Sequence, residues 1–167
     1  IHWPSPQLNK FVDTWAAFQQ AEQSGKIRGI GVANFNIHHL EQLLESANVV
    51  PALNQVELNP TFQQPELRAF NAKHGIATEA WAPLGRAKIL DHPVLVEIAA
   101  AHGKSAAQVV IRWHLQIGNL VIPKSSNPDR LAENLDVFDF SLSDSDMQLI
   151  ASMDTGIRAS NNPDDFD

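Results

Sequence analysis

The sequence predicts an α/β fold with a parallel sheet and crossover helices, and three observations carry that prediction. Short β-rich runs alternate with longer helix-like stretches along all 167 residues. The phosphate-binding string Gly-x-Gly-x-x-Gly of a doubly wound sheet is missing, and the nearest match, Gly29-Ile30-Gly31, lies inside a β-rich run. Polar and aromatic residues collect where the runs end: His2-Trp3, Asn34, Gln55 to Asn59, Trp81 and Lys124-Ser125-Ser126. In a TIM (β/α)8 barrel the C-terminal strand ends form the face that carries active sites. A full barrel takes about 250 residues and eight strands, whereas this sequence shows four β-rich runs plus the opening Ile1-His2-Trp3. The expectation is the C-terminal part of a TIM barrel, about five strands, forming a single domain over residues 1–167, with further strands on a preceding segment.

The β-rich runs are Ile27–Asn34, Ala52–Glu57, Ile76–Ala82 and Asn119–Pro123. Helices are expected over Lys10–Gly25, Ile37–Ala47, Pro65–His74, Pro93–His102, Ala106–Ile117, Pro128–Asp136 and Asp144–Met153. Asn36 and Ser105 are N-cap residues, and Gly25, Gly75, Gly103 and Gly118 stand where helices should stop. Asn127-Pro128 reads as an N-cap followed by Pro at the first helical position, and Ser143–Asp146 as a further helix start. In the second helix Leu40, Leu43, Leu44 and Ala47 line one face, which must pack on something apolar.

Composition narrows the function classes. The chain is 44% hydrophobic and 19% charged, as a globular domain should be, and its formal charge of -7 argues against a nucleic-acid binder. There is no Cys, hence no disulfide and no thiolate chemistry, which fits a reducing, cytoplasmic setting. No apolar run reaches the length of a membrane span. There is also no Tyr, so nothing in this chain can act as a phenol. His38 and His39 are neighbours on a helix and should not both face one metal, and His74, His92, His102 and His114 are scattered, so no metal site is expected.

Three stretches could carry chemistry. In Val121–Leu135 a strand end is followed by Lys124, two hydroxyls and a capped helix bearing Arg130, which reads either as a phosphate site or as a solvated loop with an ordinary N-cap. Trp81 ends a strand ahead of Pro83 and Gly85 and either offers a flat face to a ring or belongs to the core. Asn34 and Gln55 stand near the ends of adjacent strands, where amides either hold a carboxamide in one orientation or satisfy backbone groups.

Taken in order and spacing, "IHWP", "GIGVANF", "NQVELNP", "AWAPLG", "IPKSSNPDRLAENLDVFDF" and "LSDSDM" resemble the aldo-keto reductase superfamily, over essentially the whole chain. The Trp in "AWAPLG" and the ending "RASNNPDDFD" look most like its bacterial 2,5-diketo-D-gluconate reductase branch. The resemblance implies a barrel that binds NADPH and reduces small aldehydes and ketones, such as keto-sugar acids or dicarbonyls, as a cytoplasmic monomer. It implies that Asn34 and Gln55 hold the nicotinamide carboxamide, Trp81 stacks on the ring, and Ala82, Leu84 and Gly85 lie along the pyrophosphate. Lys124, Ser125 and Arg130 then surround the 2′-phosphate, and Glu133 and Asn134 reach the adenine. His2 matches the active-site His and Trp3 a wall of the substrate pocket. Where the family usually has Ser, this chain has Ala33 before Asn34 and Ala82 before Pro83, which removes hydroxyl contacts. The family's catalytic Asp, Tyr and Lys are expected on segments before "IHWP". Two other readings compete: a non-catalytic NADPH-binding regulatory module of the same fold, and a complete chain folding as an open partial barrel.

Overall fold

The computed structural model describes residues 1–166. They form an α/β structure whose elements run α1 (Phe11–Gln23), β1 (Val32–Ala33), α2 (Ile37–Leu44), β2 (Leu53–Glu57), α3 (Pro65–Lys73), β3 (Ala77–Trp81), a 3-10 turn (Gly85–Ala87), α4 (Pro93–His102), α5 (Ala106–Gln116), β4 (Leu120–Val121), α6 (Pro128–Leu135) and α7 (Asp144–Ala151). The chain divides into two compact units, one made of Ile1–Val56, Gln64–Glu79 and the tail from Arg158, the other of Glu57–Gln63 and Ala80–Ile157.

In the first unit β1 lies parallel to β2, with Val32 opposite Asn54 and Ala33 opposite Gln55. The N–H of Ala77 donates to the Ala52 carbonyl (3.1 Å), which starts β3 beside β2. Ile1 also lies along β1: its amino group donates to the Gly31 carbonyl at 2.9 Å, and Ala33 N–H donates to the Ile1 carbonyl at 2.7 Å. In the second unit Leu58 N–H reaches the Trp81 carbonyl and Ile122 N–H the Ala80 carbonyl, each at 3.4 Å, so β4 lies next to β3. The strand order is therefore β1-β2-β3-β4.

Regular strand is shorter than the sequence leads one to expect. The run Ile27–Asn34 is strand only at Val32–Ala33, with single backbone bonds from Ala52 N–H to Ile30 and from Asn34 N–H to Gln55 extending the pairing. Gly29 and Gly31 weaken the regular ladder. Gly31 is needed there for another reason, since a Cβ would lie 3.0 Å from the Leu53 carbonyl oxygen. Likewise Asn119–Pro123 is strand only at Leu120–Val121.

The helices follow their capping chemistry closely. Ser105 and Ser143 make reciprocal capping boxes with Gln108 and Asp146. The Asn127 side chain accepts from the N–H groups of Asp129 and Arg130, ahead of Pro128. At the start of α2 a histidine fills the same role, the Asn36 backbone N–H donating to Nδ1 of His39 at 3.2 Å. Gly25, Gly75, Gly103 and Gly118 all stop helices in the left-handed region. Five of the seven helices end one to three residues short of the periodic pattern and α1 is trimmed at both ends, because last turns fray, while α4 keeps its expected bounds.

Each unit has its own core. In the first, Phe11, Phe35 and the His39 ring pack edge to face, with centroids 5.3–5.9 Å apart, over the buried Leu40 and Leu43 of α2. Trp15 is buried and donates Nε1–H to the Val49 carbonyl at 3.0 Å. In the second, α4 packs on α5 and α7, burying Leu95, Ile98, Val109, Trp113 and Ile150. Among the described residues no single helix is long and apolar enough to cross a membrane.

Candidate functional site

In the first unit, the ends of β1 and β2 bring together His2, Asn34 and Gln55. Asn34 is buried and takes a left-handed conformation (φ 62°), which its short polar side chain tolerates. That conformation sends Nδ2 to the backbone carbonyl of His2 (3.0 Å), while its N–H binds the Gln55 carbonyl (2.8 Å). Asn34 thus ties the segment carrying His2 and Trp3 to the end of β2. Gln55 donates its side-chain N–H to the Glu79 carboxylate on β3. A cavity of about 570 Å³ is lined by His2, Val32, Ala33, Leu53 and Gln55, among others. The His2 ring is exposed and sits 5.9 Å from the Trp3 ring.

The C-terminal tail closes on this group. Phe166 stacks at a tilt on Trp3, with centroids 4.6 Å apart. Two residues earlier, Asp164 accepts from Asn36 Nδ2 at 2.7 Å and faces Nε2 of both His38 (3.3 Å) and His39 (3.6 Å). This corrects the expectation that the adjacent histidines cannot both face one point. The tail lays one carboxylate oxygen in the fork between the two rings, whose centroids are only 4.0 Å apart. The three side chains are close enough to share a cation. The hydrogen bond at the start of α2 works against that use: Nδ1 of His39 accepts a backbone N–H, so the ring proton sits on Nε2, which is then a donor and not a free lone pair. Burial, and secondarily His38, push His39 down to about pKa 4, against the pull of Asp164, so it is neutral near pH 7.

The other histidines have structural partners. His102 Nε2 contacts Asp146 at 3.0 Å, His92 caps α4, His74 stacks on Phe70, and the fully buried His114 lies against Asn119 and the Pro83 carbonyl.

In the second unit, β3 ends at Trp81 and the chain turns sharply. Ala82, Gly85, Arg86 and Ala87 all have positive φ. At Gly85 a Cβ would meet Ile89 at 2.9 Å, so only glycine fits the turn without displacement. This turn, the start of α5 and the start of α6 surround a cavity of about 750 Å³. Of the residues singled out in sequence, Ala82, Leu84, Lys124, Ser125, Arg130, Glu133 and Asn134 line it. Trp81 and Gly85 are not among its lining residues, although Gly85 shapes the turn and Trp81 is half-buried at the end of β3. The Ser125 hydroxyl is engaged locally, accepting from Asn127 N–H at 3.1 Å.

Sequence reasoning missed Arg86, Asp91 and the Ser105–Ala107 helix start, all of which line this cavity. Arg86 had a legible signal, a cation directly after the Pro-Leu-Gly turn; Ser105 was legible only as a cap. The cavity faces three cations (Arg86, Lys124, Arg130) against two carboxylates (Asp91, Glu133), a locally basic setting in a chain of formal charge -7. With a left-handed turn beside it, such a set can bind a phosphorylated ligand.

Comparison with known proteins gives the same direction. Residues 1–155 match the Aldo/keto reductase family. An aldo-keto reductase of Mycolicibacterium smegmatis is 56% identical over 166 residues, covering 99% of this chain and 60% of that protein. Methylglyoxal reductase DkgA of Escherichia coli K12 is 45% identical, covering 99% of this chain and 61% of its own length. Glyoxal reductase of Bacillus subtilis is 48% identical, with 99% and 59% covered. Among solved structures, a mutant of Gox0644 in complex with NADPH superposes with a TM-score of 0.97 at 49% identity, covering 100% of this chain and 62% of that one. A Bombyx mori aldo-keto reductase complexed with NADPH superposes at 0.85 with 33% identity, covering 90% and 50%. The chain thus spans about 60% of the length of the curated relatives it matches. On the family match and these likenesses, the chain belongs to the aldo/keto reductase family.

Proposed function

We propose that this chain is the C-terminal portion of an NADPH-dependent barrel enzyme that reduces aldehydes and ketones to alcohols. The observation that carries the reading is the basic cavity of the second unit. Lys124, Ser125 and Arg130 hold the adenosine 2′-phosphate, which is the group that separates NADPH from NADH. Glu133 and Asn134 reach the adenine, and Ala82, Leu84 and Gly85 lie along the pyrophosphate with Arg86 as an added cation. Trp81, at the end of β3, offers its face to the nicotinamide ring. In the first unit Asn34 and Gln55 orient the carboxamide. When bound, the cofactor supplies hydride to the substrate carbonyl carbon.

His2 hydrogen-bonds the carbonyl oxygen and so fixes the substrate's orientation, and Trp3, backed by Phe166, forms an apolar wall that excludes water on one side. The hydride step also needs a proton at the carbonyl oxygen. With no Tyr in these 167 residues, the reading assigns that proton donor, with its Asp and Lys partners, to a segment preceding them.

The substrates proposed are small polar carbonyls: keto-sugar acids such as 2,5-diketo-D-gluconate, or dicarbonyls such as methylglyoxal. The polar tail and the relatives named methylglyoxal and glyoxal reductases support this. A reducing, cytoplasmic setting fits the lack of Cys, and the protein is proposed to act as a monomer. The test is NADPH oxidation, followed by absorbance, in the full-length protein with each carbonyl. Saturable turnover with NADPH, slower with NADH, is expected. One alternative is a non-catalytic NADPH-binding regulatory module of the same fold; cofactor binding by the full-length protein with no turnover of any simple aldehyde would establish it over the enzyme.

A further inference from the structure

The Gln55 side chain faces two ways. It lines the cavity of the first unit that His2 also lines, and its Nε2 is held by the carboxylate of Glu79. The oxygen and nitrogen of an amide are ordinarily interchangeable in a structure, but not here. A carboxylate accepts hydrogen bonds and cannot donate one, so the NH2 end of Gln55 must face Glu79. Strand geometry makes the pairing regular: Gln55 and Glu79 occupy the same face of neighbouring strands, at alternate positions with Leu53 and Ala77. One of the two Nε2 N–H donors is committed to Glu79, and the carbonyl oxygen Oε1, an acceptor, is the end of the amide turned away from that carboxylate.

We propose that Glu79 is a positioning residue that locks Gln55 with its carbonyl oxygen toward the ligand, so that the site demands an N–H donor. The inference rests on the reading that Gln55 contacts the nicotinamide carboxamide, and it deepens that reading. It selects a primary carboxamide, which brings two N–H donors, over groups that offer only an acceptor. A methyl ketone in the same place meets Oε1 oxygen to oxygen. A carboxylate there meets the same oxygen with the Glu79 carboxylate behind it, and is rejected more strongly.

The test compares dissociation constants for NADP+, its 3-acetylpyridine analogue and 2′,5′-ADP, measured by calorimetry on the full-length protein. The analogue replaces the carboxamide by an acetyl group, and 2′,5′-ADP lacks the nicotinamide altogether. The native protein should favour NADP+ over the analogue by about tenfold, the effect of one good hydrogen bond replaced by a mismatched one. In Glu79→Gln the partner can donate as well as accept, Gln55 is free to turn over, and the preference should fall to within about threefold. Glu79→Asp keeps an acceptor-only group one methylene shorter and should retain most of the preference, which guards against a variant that is merely unstable. Binding of 2′,5′-ADP should be equal in all of them. An unchanged preference in Glu79→Gln, or none in the native protein, with 2′,5′-ADP still bound, overturns the role of Glu79 alone. Failure of the native protein to bind 2′,5′-ADP overturns the cofactor reading and this inference with it.

Discussion

Replacing Lys124 and Arg130 together by alanine tests the phosphate assignment most directly. Both side chains line the second unit's cavity beside Ser125, and both are exposed. A hydrogen bond to a charged group contributes about 1.5–3 kcal/mol, and solvent screening puts exposed pairs at the low end. Two such contacts come to about 3 kcal/mol, or roughly a 150-fold weaker NADPH complex at about 1.4 kcal/mol per tenfold. NADH lacks the 2′-phosphate, so its affinity should move by less than about twofold. Added salt should weaken NADPH binding to the native protein and barely affect the double variant. The assay is quenching of tryptophan fluorescence during titration with each cofactor, with 2′,5′-ADP as competitor. An equal loss for NADPH and NADH, or a loss for NADPH below about fivefold, would refute the assignment.

Three further predictions concern the first unit. Gln19 is buried and its Oε1 accepts from the N–H groups of Asn48 and Val49, both at 2.8 Å; Gln19→Leu strands both donors and should cost about 2–3 kcal/mol in urea unfolding, with a change below about 0.5 kcal/mol counting against this account. His39 is held near pKa 4 when folded against about 6.5 when unfolded. Between those values the unfolded chain binds the extra proton, so this contribution to stability is complete above about pH 6.5 and declines as pH falls toward 4, by roughly 3 kcal/mol at most. A His39→Phe variant should lose that slope, and unfolding midpoints measured across this range decide the matter. Asp164 anchors the tail to Asn36 and the two histidines; Asp164→Ala should raise the rate of tryptic cleavage after Arg158 by about five- to tenfold, read by mass spectrometry, and an unchanged rate would show that Phe166 stacking on Trp3 suffices to hold it.

Much of the chain was legible before any coordinates, because its signals are local. A helix announces itself through side chains three or four residues apart, and Ser105, Asn127, Ser143 and Gly103 marked boundaries by chemistry confined to one turn. The block from Ile122 to Phe140 and the "AWAPLG" turn carried the family for the same reason: each is a run of contiguous residue types. Tertiary structure decided whatever depends on residues remote in sequence. The meeting of Gln55 and Glu79 is a cross-strand pair 24 residues apart that no periodicity encodes. The return of Asp164 to α2, across more than 120 residues, gathered two histidines not expected to face one point into one cluster. Strand lengths also belong to this class, since Gly29 and Gly31 read as an ordinary β-rich run until the close approach to Leu53 shows what the second glycine is for. The sequence by itself determined the helices, their caps and the family. Only the folded chain, by bringing distant acceptors and donors within 3–4 Å, determined which partners the side chains of Gln55 and Asp164 engage.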